Sequence, residues 1–238
     1  MIIPLCNTYL LNYLLDKVNY MNFNYDEEMI NYISSKDKKM KYIISKIGFI
    51  KRECDDNIFA SVLHHIVGQQ ISSSAQKTIW NRLNDKLKVI TAKNLLSYDD
   101  EAIKSCGMTY KKVYYIKDFA SKIVNGEFDL NLINNMNDED AIKYLTTLKG
   151  IGEWTAEMIL LFSLQRKNIL SYDDLAIKRG IKMIYHYKKL TKDKFEKIKK
   201  RLSPYGSVAS LYIWHVAGNK CDNIRLNKNG FVIYEDKE

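Results

Sequence analysis

Two stretches of this 238-residue chain carry residue types that could act on an anionic ligand. From Leu148 to Gly180 the sequence reads LKGIGEWTAEMILLFSLQRKNILSYDDLAIKRG. Gly150 and Gly152 flank one apolar residue, and an apolar helical run follows at once. Glycine tolerates positive φ and lets a backbone approach a ligand closely. A helix starting just beyond such a turn directs unpaired N–H groups and a positive dipole end outward. Backbone donors of this kind hold a phosphate without reading a base. The same short pattern also makes a ligand-free turn between helices. Further along, the acidic pair Asp173-Asp174 stands before Leu175 and Lys178-Arg179. Either carboxylate could cap a helix starting at Leu175, and a helix N-terminus favours a negative charge there.

The second stretch, Asp55 to Leu83, reads DDNIFASVLHHIVGQQISSSAQKTIWNRL. Ile58, Phe59, Val62, Leu63, Ile66 and Val67 form a stripe at helical spacing. Gly68-Gln69-Gln70-Ile71-Ser72 breaks it, and a second helix is expected from Ser73 or Ser74, either of which could cap it. The Gln-Gln turn is either a polar, hydrogen-bonding tip between rigid helices or an ordinary connection. His64 and His65 are expected to pack or face solvent, since nothing near them in sequence makes a metal site.

Around these stretches the pattern is helical. Tyr25 to Ile47 reads as one or two amphipathic helices, with Met29, Ile30, Ile33, Met40, Ile43, Ile44 and Ile47 at helical spacing. A helix is expected over about Lys112 to Val124, burying Ile116, Phe119, Ala120 and Ile123 and stopped by Asn125-Gly126. Lys111 and Lys112 read as a solvated pair, with phosphate contact the alternative. Asp138 to Tyr144 leads into the glycine turn. Phe195 to Leu202 is a lysine-rich amphipathic piece, and Ser203-Pro204-Tyr205-Gly206-Ser207 restarts a helix running to about Ala217. The tail from Asn223 to Tyr234, with Asn229-Gly230 between apolar residues, suits a small hairpin.

Hydrophobic residues make up 46% of the chain and only two residues are proline, which fits a well-packed body rather than long disorder. Lysine and arginine outnumber aspartate and glutamate by 37 to 28, giving net charge +9. That balance suits a polyanionic partner. Cys6, Cys54, Cys106 and Cys221 are scattered without C-x-x-C spacing, so neither a disulfide framework nor a zinc site is expected, and a reducing compartment fits. Residues 1–24 are apolar in patches interrupted by Asn7, Asn12 and Asp16. They read as an extension packed on the body, too short and polar to span a bilayer and without the features of a signal peptide.

The run Leu-Lys-Gly-Ile-Gly-Glu-Trp-Thr-Ala-Glu-Met, followed by Asp174-Leu-Ala-Ile-Lys-Arg, resembles the helix-hairpin-helix plus Gly/Pro-Asp signature of DNA glycosylases. Within that superfamily it is most similar to the DNA-3-methyladenine glycosylase II branch, whose hairpin likewise continues as Gly-Ile-Gly-x-Trp-Thr-Ala. The resemblance covers residues 25–220, with the hairpin at 144–164 and a tail at 221–238. It implies an all-α, two-lobed fold with the active site in the cleft between the lobes. The first hairpin helix would close at Tyr144 and Leu145, and the second would run from Thr155 to Leu164.

Several roles follow from the resemblance. Asp174 matches the catalytic aspartate, four residues before the lysine of the Ile-Lys pair. Cleavage of a C1′–N bond passes through an oxocarbenium-like state, which a neighbouring carboxylate stabilises. Gln70 would be the wedge that fills the gap left by an extruded nucleotide. Gly150, Gly152 and Thr155 would contact DNA at the hairpin. Carbonyls of Thr146, Leu148 and Ile151 would hold a monovalent cation, Na+ or K+. Bifunctional glycosylase/lyases carry lysine where this chain has Trp154; without that amine no Schiff base forms, which implies a monofunctional enzyme. Trp214 stands at the stacking tryptophan of the alkyl-purine branch and Trp154 would be a second wall. Met158 and Leu175 occupy pocket positions that carry rings in that branch, thinning the aromatic box. Gly206 replaces a usual arginine. Only Cys221 falls in the region of the cluster cysteines of some relatives, so no iron–sulfur cluster and no required cofactor are expected. A cationic alkylated purine would be selected by aromatic faces, at about 0.5–2 kcal/mol per cation–π contact, and by the ease of extruding a poorly paired base.

The implied protein is a monomeric base-excision enzyme that releases 3-methyladenine and 7-methylguanine from double-stranded DNA, in a nucleoid-associated cytoplasmic or nuclear setting and away from membranes. Two rivals stand beside it: a glycosylase for an oxidised or mismatched base, and a non-catalytic helix-hairpin-helix DNA-binding module.

Overall fold

A computed structural model describes residues 21–55, 57–218 and 223–234. Residues 1–20, Cys6 among them, and residues 219–222 with Cys221 lie outside it, as does most of the expected N-terminal extension. Its described end is strand β1 (Met21–Asn22), which pairs antiparallel with β2 (Glu53–Cys54). Apart from one bridge near the C-terminus, the other regular structure among the described residues is helical. Among the described residues no helix is long and apolar enough to cross a membrane.

The helices begin where capping side chains satisfy the first free N–H groups. Helix α1 (Glu27–Lys36) starts at Asp26, and α2 (Lys38–Ile47) at Asp37, so the Tyr25–Ile47 segment is two helices sharing one aspartate junction. The buried Asp37 carboxylate accepts from the Lys39 and Met40 N–H groups, the Arg201 guanidinium at 2.7 Å and the Tyr185 hydroxyl at 2.8 Å. Helix α3 (Ile58–Gly68) is capped by Asn57. Helix α4 (Ser73–Leu87) is capped by Ser72, whose Oγ accepts from Ala75 N–H, rather than by Ser73 or Ser74. Ser72 has the extended backbone a cap requires. Short helices α5 (Ala92–Leu96) and α6 (Asp100–Lys104) lead to α7 (Tyr110–Val124), which is capped by Thr109 and starts two residues before the expected Lys112. A 3-10 turn (Leu130–Asn135) precedes α8 (Asp138–Thr146). Then follow α9 (Glu153–Phe162), α10 (Leu175–Tyr185), α11 (Lys192–Leu202) and α12 (Gly206–Ala217).

Two lobes result. Helices α3 to α9 form one, with α5 and α6 packed on α7, α3 on α4 and α7, and α8 on α9. Helices α10, α11 and α12 form the other, and the chain returns α1 and α2 to it from the N-terminal side. The tightest packing there is α10 on α12: a Cβ on Gly180 would stand 2.4 Å from the Ile213 carbonyl oxygen. The expected tail hairpin forms as one antiparallel bridge, Leu226 to Val232.

Candidate active site in the cleft between the lobes

The cleft holds a cavity of about 720 Å³. Three walls meet there: Ile47 to Arg52 after α2, the α9 face carrying Trp154, Met158 and Phe162, and the facing ends of α10 and α12. Among the described residues, Asp174 is the one carboxylate that lines the cavity. It caps α10, with Oδ1 accepting from Ile177 N–H at 2.7 Å. The same oxygen accepts from the Trp214 indole N–H at 3.2 Å, and Oδ2 accepts from the Trp154 indole N–H at 2.9 Å. Three donors on three elements therefore aim one 7%-exposed carboxylate into the cavity. An ionised carboxylate offers about four acceptor positions, so about one remains for a ligand. Asp173 instead faces solvent and pairs with Lys178 at 3.7 Å. Glu157, also on α9, is buried away from the cavity, and desolvation raises its carboxyl pKa.

Aromatic rings surround Asp174. The Trp214 ring stacks on Phe162 at 5.6 Å and 23°, and the Arg52 guanidinium lies 4.6 Å over the other ring of that pair, Phe162. Trp154 is 41% exposed, so it is a wall rather than core. Met158 lines the cavity as expected. Leu175 does not: it is 80% exposed, because the residue after an N-cap starts the helix on its outer face. Phe49 and Phe162 supply rings that the sequence reading missed, so the aromatic box is fuller than Met158 and Leu175 suggested. Phe49 arrives from the α2–β2 connection and is fixed by stacking on Tyr25 at 4.4 Å. Lys51, Arg52 and Arg179 give the cavity a basic margin.

The glycine turn is a hairpin between α8 and α9. Helix α8 closes at Thr146, one residue beyond Leu145, and α9 begins at Glu153 rather than Thr155, with Gly152 as its cap. Gly150 has φ +84, and a Cβ there would stand 2.4 Å from the Tyr115 ring, so both conformation and space demand glycine. Gly152 faces open space and makes no side-chain cap bond, so the first N–H groups of α9 point outward. Thr155 is 6% exposed, so the expected DNA contact at this residue is not made by an open side chain. Of the three carbonyls at this turn, that of Leu148 accepts from Ile151 N–H at 3.1 Å.

The Gln-Gln turn reaches the same side of the molecule. Gln69 Nε2 donates to the Gly150 carbonyl at 2.6 Å, joining this turn to the hairpin. Gln70 is exposed and holds a left-handed backbone, φ +56. Lys112 is not a solvated partner of Lys111. Its ammonium donates to the carbonyls of Val67 and Gln69 at 2.7 and 2.8 Å, closing the C-terminus of α3. Burial lowers its pKa. No sequence signal separates Lys111 from Lys112 except their helical phase. Gly206, at a position where the resembled family usually carries arginine, donates its N–H to Asn168 Oδ1 at 3.3 Å, and a Cβ would press on that residue. His64 packs on Trp80 at 4.8 Å and contacts Gln76. Cys54 and Cys106 are buried free thiols, that of Cys54 pushed up to about 11 by desolvation.

Residues 63–204 match the model of the HhH-GPD superfamily base excision DNA repair proteins. DNA-3-methyladenine glycosylase 1 of Schizosaccharomyces pombe is 27% identical over 191 residues, covering 77% of this chain and 84% of the relative. The crystal structure of DNA-3-methyladenine glycosidase from Bacillus halodurans superposes with a TM-score of 0.75 at 29% identity, over 85% of this chain and 94% of that one. The Schizosaccharomyces pombe 3-methyladenine DNA glycosylase in complex with abasic DNA gives 0.70 at 25% identity, over 80% and 97%. A hairpin with outward N–H groups and a single carboxylate among rings thus coincides with a family match over most of the chain, and the protein belongs to the HhH-GPD superfamily of base excision DNA repair proteins.

Proposed function

We propose that the protein is a monofunctional DNA N-glycosylase of the 3-methyladenine glycosylase II type, hydrolysing the bond between deoxyribose and an alkylated purine in duplex DNA. The observation that carries this reading is Asp174, the sole carboxylate among the described residues that line a ring-walled cavity, held by two indole N–H groups and one backbone N–H. The relatives named as 3-methyladenine glycosylases support the substrate class.

The mechanism follows from the residues. The hairpin N–H groups hold a phosphate, and Gln70 enters the gap from which the nucleotide has turned out. The extruded base lies against Trp214 and Trp154. As the C1′–N bond breaks, its electron pair leaves with the base, and an alkylated purine departs neutral because it was cationic. The positive charge on the sugar faces the free acceptor position of Asp174, where a fixed carboxylate stabilises it without reorganising. Water adds to C1′ and loses its proton to Asp174 or solvent. Trp154 presents no amine, so water is the acceptor. The carbonyls of Thr146, Leu148 and Ile151 are neutral oxygen donors of the kind that suits Na+ or K+; such an ion would steady the turn at the DNA phosphate. The protein works as a monomer on DNA and needs no other cofactor.

Incubation with duplexes carrying 7-methylguanine, 3-methyladenine, uracil, thymine mispairs or 8-oxoguanine tests the proposal. Release of the methylated purines is expected. Release of only an oxidised or mismatched base would overturn the substrate class, and release of none would point to a DNA-binding module.

A further inference from the structure

We propose that the groove between α10 and the C-terminal hairpin is a second phosphate-binding surface, carrying one DNA strand away from the base cavity; the choice of DNA as ligand rests on the glycosylase reading above. The hairpin at 223–234 lies beyond the family match, which ends at residue 204. It is nonetheless fixed firmly. Helix α10 ends at His186, whose backbone turns left-handed at φ +59. The imidazole stacks on Phe231 at 5.3 Å and 26°, and its Nε2 lies 2.7 Å from the Val232 carbonyl. Val232 N–H in turn donates to Met183 O at 3.0 Å. At the tip, Asn227 Oδ1 accepts from the N–H groups of Asn229 and Phe231, and Gly230 takes φ +74. These bonds seat the hairpin against α10 and leave a groove of about 390 Å³.

Arg179, Lys182 and Lys188 line that groove with Tyr187, Asn229 and Phe231, and among the described residues no carboxylate does. Of the two acidic residues at the start of α10, Asp174 is held by its three N–H donors and Asp173 pairs with Lys178. Three cations converging on a concave surface without counter-charge attract a polyanion. Arg179 also lines the base cavity, so the two sites are continuous. Helix α10 rises about 1.5 Å per residue, which places Lys182 about 12 Å along the helix from Asp174. That is about three to four nucleotide steps at about 3.4 Å each. The groove therefore meets backbone phosphates flanking the extruded nucleotide, and it holds them without reading sequence.

The test uses the full chain and its Lys182→Gln/Lys188→Gln double variant, leaving Arg179 in place. Binding to a duplex with a stable tetrahydrofuran abasic analogue is measured by anisotropy across a salt series. Each neutralised phosphate contributes about 0.9 to the slope of log K against log salt. The double variant should lose about 1.8 from that slope, bind several-fold more weakly at low salt, and keep its single-turnover rate at saturating duplex. Lys182→Arg/Lys188→Arg should restore the slope. Trimming the duplex to fewer than about four pairs on one side should erase the difference between wild type and variant. An unchanged slope in a double variant of normal thermal midpoint overturns the groove while leaving the glycosylase reading intact. A wild type that binds no duplex overturns both.

Discussion

Replacing Lys112 by methionine tests how the Gln69-Gln70 turn is held. The ammonium donates two hydrogen bonds, to Val67 O and Gln69 O, at the C-terminus of α3. A hydrogen bond from a charged donor contributes about 1.5–3 kcal/mol. Two would give about 3–6 kcal/mol, but desolvation, which already lowers the lysine pKa, opposes them. A net loss of about 2–3 kcal/mol is therefore expected, and at about 2–4 °C per kcal/mol for a chain of this size the melting midpoint should fall by about 4–12 °C. The functional effect should be local. With its carbonyl released, Gln69 holds the Gly150 oxygen less well, and the exposed, left-handed Gln70 loses its fixed position. Affinity for an abasic-analogue duplex should fall more than affinity for undamaged duplex. A double-mutant cycle with Gln69→Ala should give a coupling of about 0.5–3 kcal/mol, because both residues hold the same turn. Calorimetry and anisotropy supply both readouts. Additive effects, or a Lys112→Met variant with wild-type stability and binding, would refute the clamp.

Trp214→Ala should slow release of 3-methyladenine and 7-methylguanine more than release of neutral hypoxanthine, by about 1–3 kcal/mol of stacking on cationic bases. The indole N–H also serves Asp174, so a common loss for all bases is expected; equal slowing of charged and neutral bases would remove the cation-selection argument. Borohydride should trap no covalent protein–DNA adduct, since Trp154 stands where lyases have lysine, and a robust adduct or β-elimination would contradict that. The His65 imidazole is lowered to about 4 by desolvation first and by His64 second. Being neutral in the folded state and more basic when unfolded, it contributes stability that is complete above pH 6.5 and is lost as pH falls towards 4. Allowing for its partial exposure, about 1–2 kcal/mol should disappear over that window, and His65→Gln should flatten the curve; a variant with the same acid profile as wild type would show that other groups set it.

The parts legible in the sequence were those written in local patterns. Gly150 and Gly152 announce the hairpin because backbone geometry at a tight turn permits little else, and the helical stripes of α3 and α7 follow from periodic burial. Local pattern left Asp173 and Asp174 equal, and only the resemblance to the glycosylase signature favoured Asp174; the structure turns the two carboxylates to opposite environments. Illegible were contacts between distant segments. Phe49 and Phe162 come together with Trp214 only after α2, α9 and α12 have packed, and neither ring carries a local mark. Lys112 differs from Lys111 only in which side of α7 it occupies. Leu175 was placed in the pocket by position in a motif, whereas helix phase turns it to solvent.

The central claim is that Asp174 stabilises the charge that develops on the sugar, and Asp174→Asn is its most direct test. Asparagine caps a helix as well as aspartate does, so α10 should still form and duplex binding should persist. What is lost is the negative charge facing the cavity. Single-turnover release of 7-methylguanine from a duplex should fall by about 10²–10³-fold or more, the scale of a preorganised electrostatic contact, while Asp173→Asn stays near wild type. A variant that binds the duplex and excises at a near-wild-type rate would contradict the assignment of Asp174 as the catalytic carboxylate.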